Sequence, residues 1–128
     1  MNTKLILFTS AIFLGLLGLS FTFAPAEFAR FILPETNYPP LFLQLLGAMY
    51  VGFAILNWTA KGAIIGGIYN KPIALGNFAH FTIGALTLIK IPFKSFMEFP
   101  ILLIIAIFYI AFAIIFGLIN FKHPLPKK

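Results

Sequence analysis

Four apolar stretches, each close to the length of a bilayer crossing and separated by short proline-bearing or basic links, leave this chain few folds to choose from. A helix rises about 1.5 Å per residue and a bilayer's hydrocarbon core is about 30 Å thick, so one crossing takes about 20 mostly apolar residues. The stretches run from Leu5 to Phe23, Leu41 to Thr59, Pro72 to Ile89 and Pro100 to Phe121. Lipid supplies no partner for a backbone amide, so each is expected to be helical. The period-2 alternation of a membrane barrel is absent. The expectation is an all-α fold: a membrane-spanning antiparallel four-helix bundle, one transmembrane domain over residues 1–128.

With 61% of residues hydrophobic and 9% charged, almost nothing remains for a soluble domain that could carry an active site. The absence of cysteine removes disulfides, thiolate metal sites and redox thiols together. A net charge of +6 raises nucleic acid as a partner, but the basic residues are scattered between spans rather than gathered on one face, so no nucleic-acid partner is expected.

Orientation explains the basic residues better. With the N-terminus inside, Lys4, Lys61, Lys71, Lys122, Lys127 and Lys128 are cytoplasmic, while Arg30, Lys90, Lys94 and all three acids, Glu27, Glu35 and Glu98, are outside. Both termini are then cytoplasmic, in what reads as a bacterial inner membrane. Lys90 and Lys94 run against this count, although a lysine at a helix end can snorkel to a headgroup layer. Lys4, the apolar stretch and Ala24-Pro25-Ala26 also outline a secretory signal. The stretch exceeds the roughly 7 to 15 residues of a signal core, so retention as a span is expected.

Between the first two spans, Pro25 to Leu33 reads as a short interfacial helix, with Glu27 and Arg30 spaced as an i,i+3 pair and Phe28, Phe31 and Ile32 apolar. Pro34, Pro39 and Pro40 end it and reset the chain. The segment from Lys90 to Pro100 reads as a loop mixing Phe93, Phe96, Met97 and Phe99 with Lys94 and Glu98, a composition suited to the headgroup layer.

Small residues mark where helices should approach. These are Ala11, Gly15, Gly18 and Thr22 in the first span, Ala48 and Gly52 in the second, and Ala106, Ala113 and Gly117 in the fourth. Such stripes serve packing inside a bundle or a homodimer contact equally well. In the third span, 100° per residue puts Gly76, Asn77, His80, Gly84 and Thr87 on one broad face, with Phe78, Ala85 and Ile89 pointing away. His80 lies near the bilayer midplane, where a charge is costly, so a neutral imidazole facing protein is expected.

The candidate cluster is His80, Asn77, Gln44 and Tyr109. Gln44 shares a face with Gly47, Ala48, Val51 and Trp58, with Asn57 and Tyr50 on the opposite side of that helix. Tyr109 shares a face with Ala106, Ala113 and Asn120. A neutral imidazole offers one donor and one acceptor, so Tyr109 or Gln44 could satisfy His80 without any ligand, and a small polar pocket is the competing reading. No cofactor is required. Haem ligation by His80 would need a second copy of the chain to supply bis-histidine binding. No second histidine, cysteine or acid lies at zinc-ligand spacing in any span. No paired carboxylates or nucleophile–base pair lie within the spans, and His123 falls at the C-terminal membrane edge. The Asn57-Trp58-Thr59 sequon sits at a helix end on the cytoplasmic side and reads as accidental.

Small multidrug exporters are of similar size, but their coupling acid in the first span has no counterpart here. The chain resembles instead the DoxX-like group of small four-helix membrane proteins, most of them without assigned activity. The likeness rests on Phe23-Ala24-Pro25-Ala26-Glu27-Phe28 closing the first span, Leu46-Gly47-Ala48-Met49-Tyr50-Val51-Gly52 followed by Asn57-Trp58 in the second, and a polar third span with Asn77 and His80. It covers most of the chain in layout, through short apolar motifs. Some members of that group are membrane subunits linked to quinone-dependent sulfur oxidation, which the resemblance permits. The chain departs from them in having no evident redox centre and no basic residue near the start of the second span. The expectation is a noncatalytic scaffold or accessory subunit, with a membrane protein partner or a homodimer in view and a small apolar ligand between helices. The alternative is a membrane subunit of a quinone- or lipid-linked oxidoreductase.

Overall fold

A computed structural model describes residues 2–32, 39–63, 65 and 68–122. Among these the chain forms six α-helices and no strand: α1 (Thr3–Phe23), α2 (Pro25–Ile32), α3 (Pro40–Ala60), α4 (Lys71–Ile89), α5 (Phe93–Glu98) and α6 (Pro100–Phe121), with one 3₁₀ turn at Ile68–Asn70. The expectations for Leu33, Pro34, Glu35, His123, Lys127 and Lys128 fall outside the described residues. Four helices, α1, α3, α4 and α6, are long and apolar enough to cross a membrane.

Their boundaries follow from local chemistry. Asn2 caps α1 by accepting from the Leu5 amide at 3.2 Å. Pro25, which has no amide proton, cannot continue the α1 ladder, so the helix stops and α2 starts one residue later. Prolines at the first or second position open α3, α4 and α6, where the missing N–H costs nothing. The 90–100 segment is not the irregular loop expected from its composition. Lys90 and Ile91 close α4 with tight bonds to Thr87 and Leu88, Pro92 resets the chain, and the Ser95 amide bonds the Pro92 carbonyl at 2.9 Å to start α5. Lys94 and Glu98 form an i,i+4 ion pair at 3.6 Å along that short helix. Among the described residues this is the ion pair that forms, rather than one between Glu27 and Arg30.

The chain divides into two compact units, Asn2–Gly62 and Ala63–Lys128. The first is an antiparallel pair of α1 and α3, since contacts ascending α1 descend α3: Phe8 meets Trp58, Ser10 meets Asn57, Gly15 meets Ala54, Gly18 meets Val51 and Thr22 meets Gly47. The small-residue face expected on α1 is the face in contact. On α3 the seam is rotated from the expected one. Gly47, Val51 and Ala54 make it, while Ala48 is exposed and a Cβ on Gly52 would meet nothing within 4 Å. The reason is steric: the backbones touch at Gly18 and Gly47, where a Cβ on Gly18 would lie 2.8 Å from the Val51 nitrogen. Phe21 ties the three helices of this unit together, edge-on to Phe28 of α2 at 5.0 Å and stacked on Tyr50 of α3 at 5.5 Å.

The second unit is an antiparallel pair of α4 and α6. Ala74 meets Asn120, Phe78 meets Gly117 and Phe121, Phe81 meets Phe112 and Phe116, and Gly84 meets Tyr109. The buried face of α4 is Ala74, Asn77, Phe81 and Ala85, rotated from the stripe read from polarity, of which Asn77 lies on this face and His80 and Gly84 border it against Tyr109. Phe78 and Ala85, expected to point away, pack; Thr87 is exposed. A fully buried phenylalanine among aromatic neighbours outweighs the placement of a threonine whose hydroxyl its own helix satisfies, by donating to the Ile83 carbonyl at 2.9 Å.

Outside these seams the long helices are apolar but uncovered. The best-buried apolar window, in α1, is 39% buried and that of α3 only 17%. In water, helices apolar on every side would be buried in a protein core. Hydroxyls follow the same rule: Thr9, Ser20, Thr22 and Thr59 each donate to a carbonyl one turn back, which leaves few polar groups facing outward.

Candidate functional site

Polar side chains meet within each helix pair, and these meeting points are where chemistry could reside. In the 63–128 unit, His80 at the middle of α4 places Nε2 3.2 Å from the Tyr109 hydroxyl on α6. The rings lie 5.5 Å apart, and Phe81 flanks both, 5.1 Å from His80 and 5.3 Å from Tyr109. Gly84 makes the meeting possible, because a Cβ there would overlap the Tyr109 ring. Tyr109 is buried and His80 half-buried. Either ring can donate: the phenol as O–H to a bare imidazole nitrogen, or an imidazole N–H to the phenol oxygen.

Asn77, one turn before His80, is fully buried and its amide donates to the Ile73 carbonyl at 2.9 Å. Asn120, near the end of α6, donates to the carbonyls of Ala74 at 3.0 Å and Phe116 at 2.9 Å, fastening the two helix ends together. Of the expected cluster, then, His80 and Tyr109 are in direct contact and Asn77 lies on the same helix as His80. Gln44 belongs to the other unit, where it is exposed on α3.

The 2–62 unit holds a polar contact that periodicity did not single out. Asn57 is fully buried and its amide donates to the Ser10 hydroxyl at 3.0 Å, while Ser10 donates to the Leu7 carbonyl at 3.0 Å. Asn57 and Tyr50 were expected on the side of α3 opposite Gln44. Both nevertheless meet α1, because the seam runs through Gly47, Val51 and Ala54 and leaves Gln44 itself exposed. The available signal was Ser10, a hydroxyl on α1 immediately before Ala11 of the small-residue face. Burial of Asn57 inside a helix also makes the sequon there inaccessible to a glycan.

At the end of α3, Lys61 lays its ammonium over the Trp58 ring, 3.1 Å from the centroid, with the Phe8 ring 5.7 Å away. Beside Trp58 a groove of about 260 Å³ runs between α1 and α3, lined by Ala11, Gly15, Leu19, Val51, Ala54, Ile55 and Trp58. Its lining is almost wholly apolar.

These arrangements offer hydrogen bonds and apolar surface. Among the described residues no three His, Cys, Asp or Glu side chains gather as a metal-binding group. Replacing Tyr109 by phenylalanine removes the hydroxyl beside His80 while keeping the ring under Gly84. The expected loss is about 1 kcal/mol, the scale of one hydrogen bond between membrane helices, read by denaturant titration in detergent. A loss of several kcal/mol would mean the hydroxyl serves more than one partner. Comparison with protein-family models, curated proteins and solved structures returns no match for this chain.

Proposed function

We propose that this chain is a noncatalytic integral membrane protein, a scaffold or accessory subunit of the bacterial inner membrane with both termini cytoplasmic, built as a DoxX-like four-span bundle. The observation that carries the reading is the use made of its polar groups. Ser10 with Asn57, His80 with Tyr109, and Asn120 with the Ala74 carbonyl each bind one long helix to its antiparallel partner. Side chains engaged in this way hold helices together at about 1 kcal/mol each. The apolar groove between α1 and α3 supports the further part of the reading, a small apolar ligand held between helices.

The half-buried His80 beside Tyr109 favours a second reading, a quinone- or lipid-linked redox subunit, since an imidazole and a phenol can both donate to a quinone carbonyl. Purification in a gentle detergent, with mass spectrometry and an absorption spectrum of what copurifies, separates the two. The scaffold reading expects a colourless chain carrying lipid or a second polypeptide. A stoichiometric quinone or haem lost on His80→Leu would overturn it in favour of the redox subunit.

A further inference from the structure

We infer that the α1–α3 groove is a lipid site that holds one acyl chain of an anionic phospholipid, with Lys61 on the headgroup phosphate. This deepens the apolar-ligand reading and rests on the long helices spanning a bilayer. Shape comes first. Ala11 and Gly15 on α1 and Val51 and Ala54 on α3 form the floor, and the larger Leu19, Ile55 and Trp58 form the walls. Leu19, Ile55 and Trp58 are all exposed, so the groove opens away from the helix pair.

From Ala11 to Leu19 the groove extends about 12 Å at 1.5 Å per residue, and a helix-lined apolar trough of that length suits a stretch of alkyl chain. Its volume of about 260 Å³ accommodates a segment of alkyl chain. Apolar walls alone would accept any lipid.

Charge supplies the selection. Trp58 stands at the end of the groove in the last turn of α3, where an indole belongs at the headgroup level. Lys61 caps the helix one turn later with its ammonium on the Trp58 face. Aromatic faces at 3.1 and 5.7 Å hold the cation in place and accept no hydrogen bond along its remaining N–H directions. A phosphate at the groove's end would take those donors while its acyl chain lies along the seam. A zwitterionic headgroup brings its own cation to the same spot and gains less.

Trp58 is the one tryptophan in the chain, so its fluorescence reports on the groove directly. The protein is reconstituted in phosphatidylcholine vesicles carrying a stepwise increasing minor share of either chain-brominated phosphatidylglycerol or chain-brominated phosphatidylcholine. Brominated phosphatidylglycerol is expected to quench Trp58 at about fivefold lower content, the effect of one basic residue on an anionic lipid. Lys61→Gln should abolish that difference without disturbing the fold. Gly15→Leu, which fills the floor, should weaken quenching by both lipids while the protein keeps its helical signal. Equal quenching by the two lipids, or a preference that survives Lys61→Gln, would overturn the proposal while the protein still floats with the vesicles. A protein that fails to float would refute the spanning reading itself.

Discussion

Gly18→Leu is expected to force α1 off α3 and to destabilise the 2–62 unit by about 3 kcal/mol, the upper end of what overpacking costs. A Cβ at Gly18 would stand 2.8 Å from the Val51 nitrogen and 2.9 Å from the Gly47 carbonyl oxygen, and backbone cannot swing aside as a side-chain tip can. Gly47 faces the reciprocal contact, 2.8 Å from the Gly18 oxygen. The comparison that isolates the effect is Gly52→Leu, since a Cβ at Gly52 meets nothing within 4 Å and leucine is the better helix former by several tenths of a kcal/mol. Denaturant titration of the detergent-solubilised protein by circular dichroism should show a large loss for the first substitution and none for the second. Similar losses for both would mean that the α3 seam passes through the Ala48–Gly52 face instead.

Phe81→Ala is expected to cost the 63–128 unit about 3 to 5 kcal/mol, as for other buried phenylalanines replaced by alanine. Phe81 has no exposed surface, and its ring lies 4.8 Å from Phe112 and 5.7 Å from Phe116. Deleting it opens a cavity that three aromatic neighbours and His80 are too rigid to fill. Ile83, two residues on, is 66% exposed, and its replacement by alanine removes mostly exposed surface. The same titration should leave Ile83→Ala near the parent protein. A Phe81→Ala loss below about 1 kcal/mol would show that the aromatic cluster does not form the core of this unit.

The helix ends were legible because their causes are local. Proline at positions 25, 40, 72 and 100 and the length of each apolar run place them within two residues of the expected spans. The α1 contact face was legible too, since glycine and alanine recur there at helical spacing against bulky neighbours. Rotation of the other helices was not. In lipid an outward leucine is as well placed as an inward one, so the apolar period that betrays a buried face in a soluble helix is missing here. Phe81 therefore looked like any other phenylalanine of α4, and the polar stripe beside it was taken for the inner face. On α3, glycine at 47 and at 52 offered two seams, and only the close approach to Gly18 distinguishes them.

His80 and Tyr109 stood out because an imidazole and a phenol are conspicuous in apolar helices. Asn57 was passed over because its side of α3 was judged against Gln44. Its value comes from Ser10, 47 positions earlier in the chain, a separation that no local pattern bridges.

Cysteine accessibility tests the membrane-spanning account most directly, because the chain has no cysteine of its own to label. Lys4→Cys, Arg30→Cys, Lys61→Cys and Lys94→Cys place one thiol each in the first turn of α1, in α2, after α3 and in α5. A membrane-impermeant maleimide applied to the outside of sealed, right-side-out vesicles is predicted to label Arg30→Cys and Lys94→Cys, and to reach Lys4→Cys and Lys61→Cys only after permeabilisation. Labelling of Lys4→Cys and Arg30→Cys from the same face would contradict the account, because α1 could not then cross the membrane.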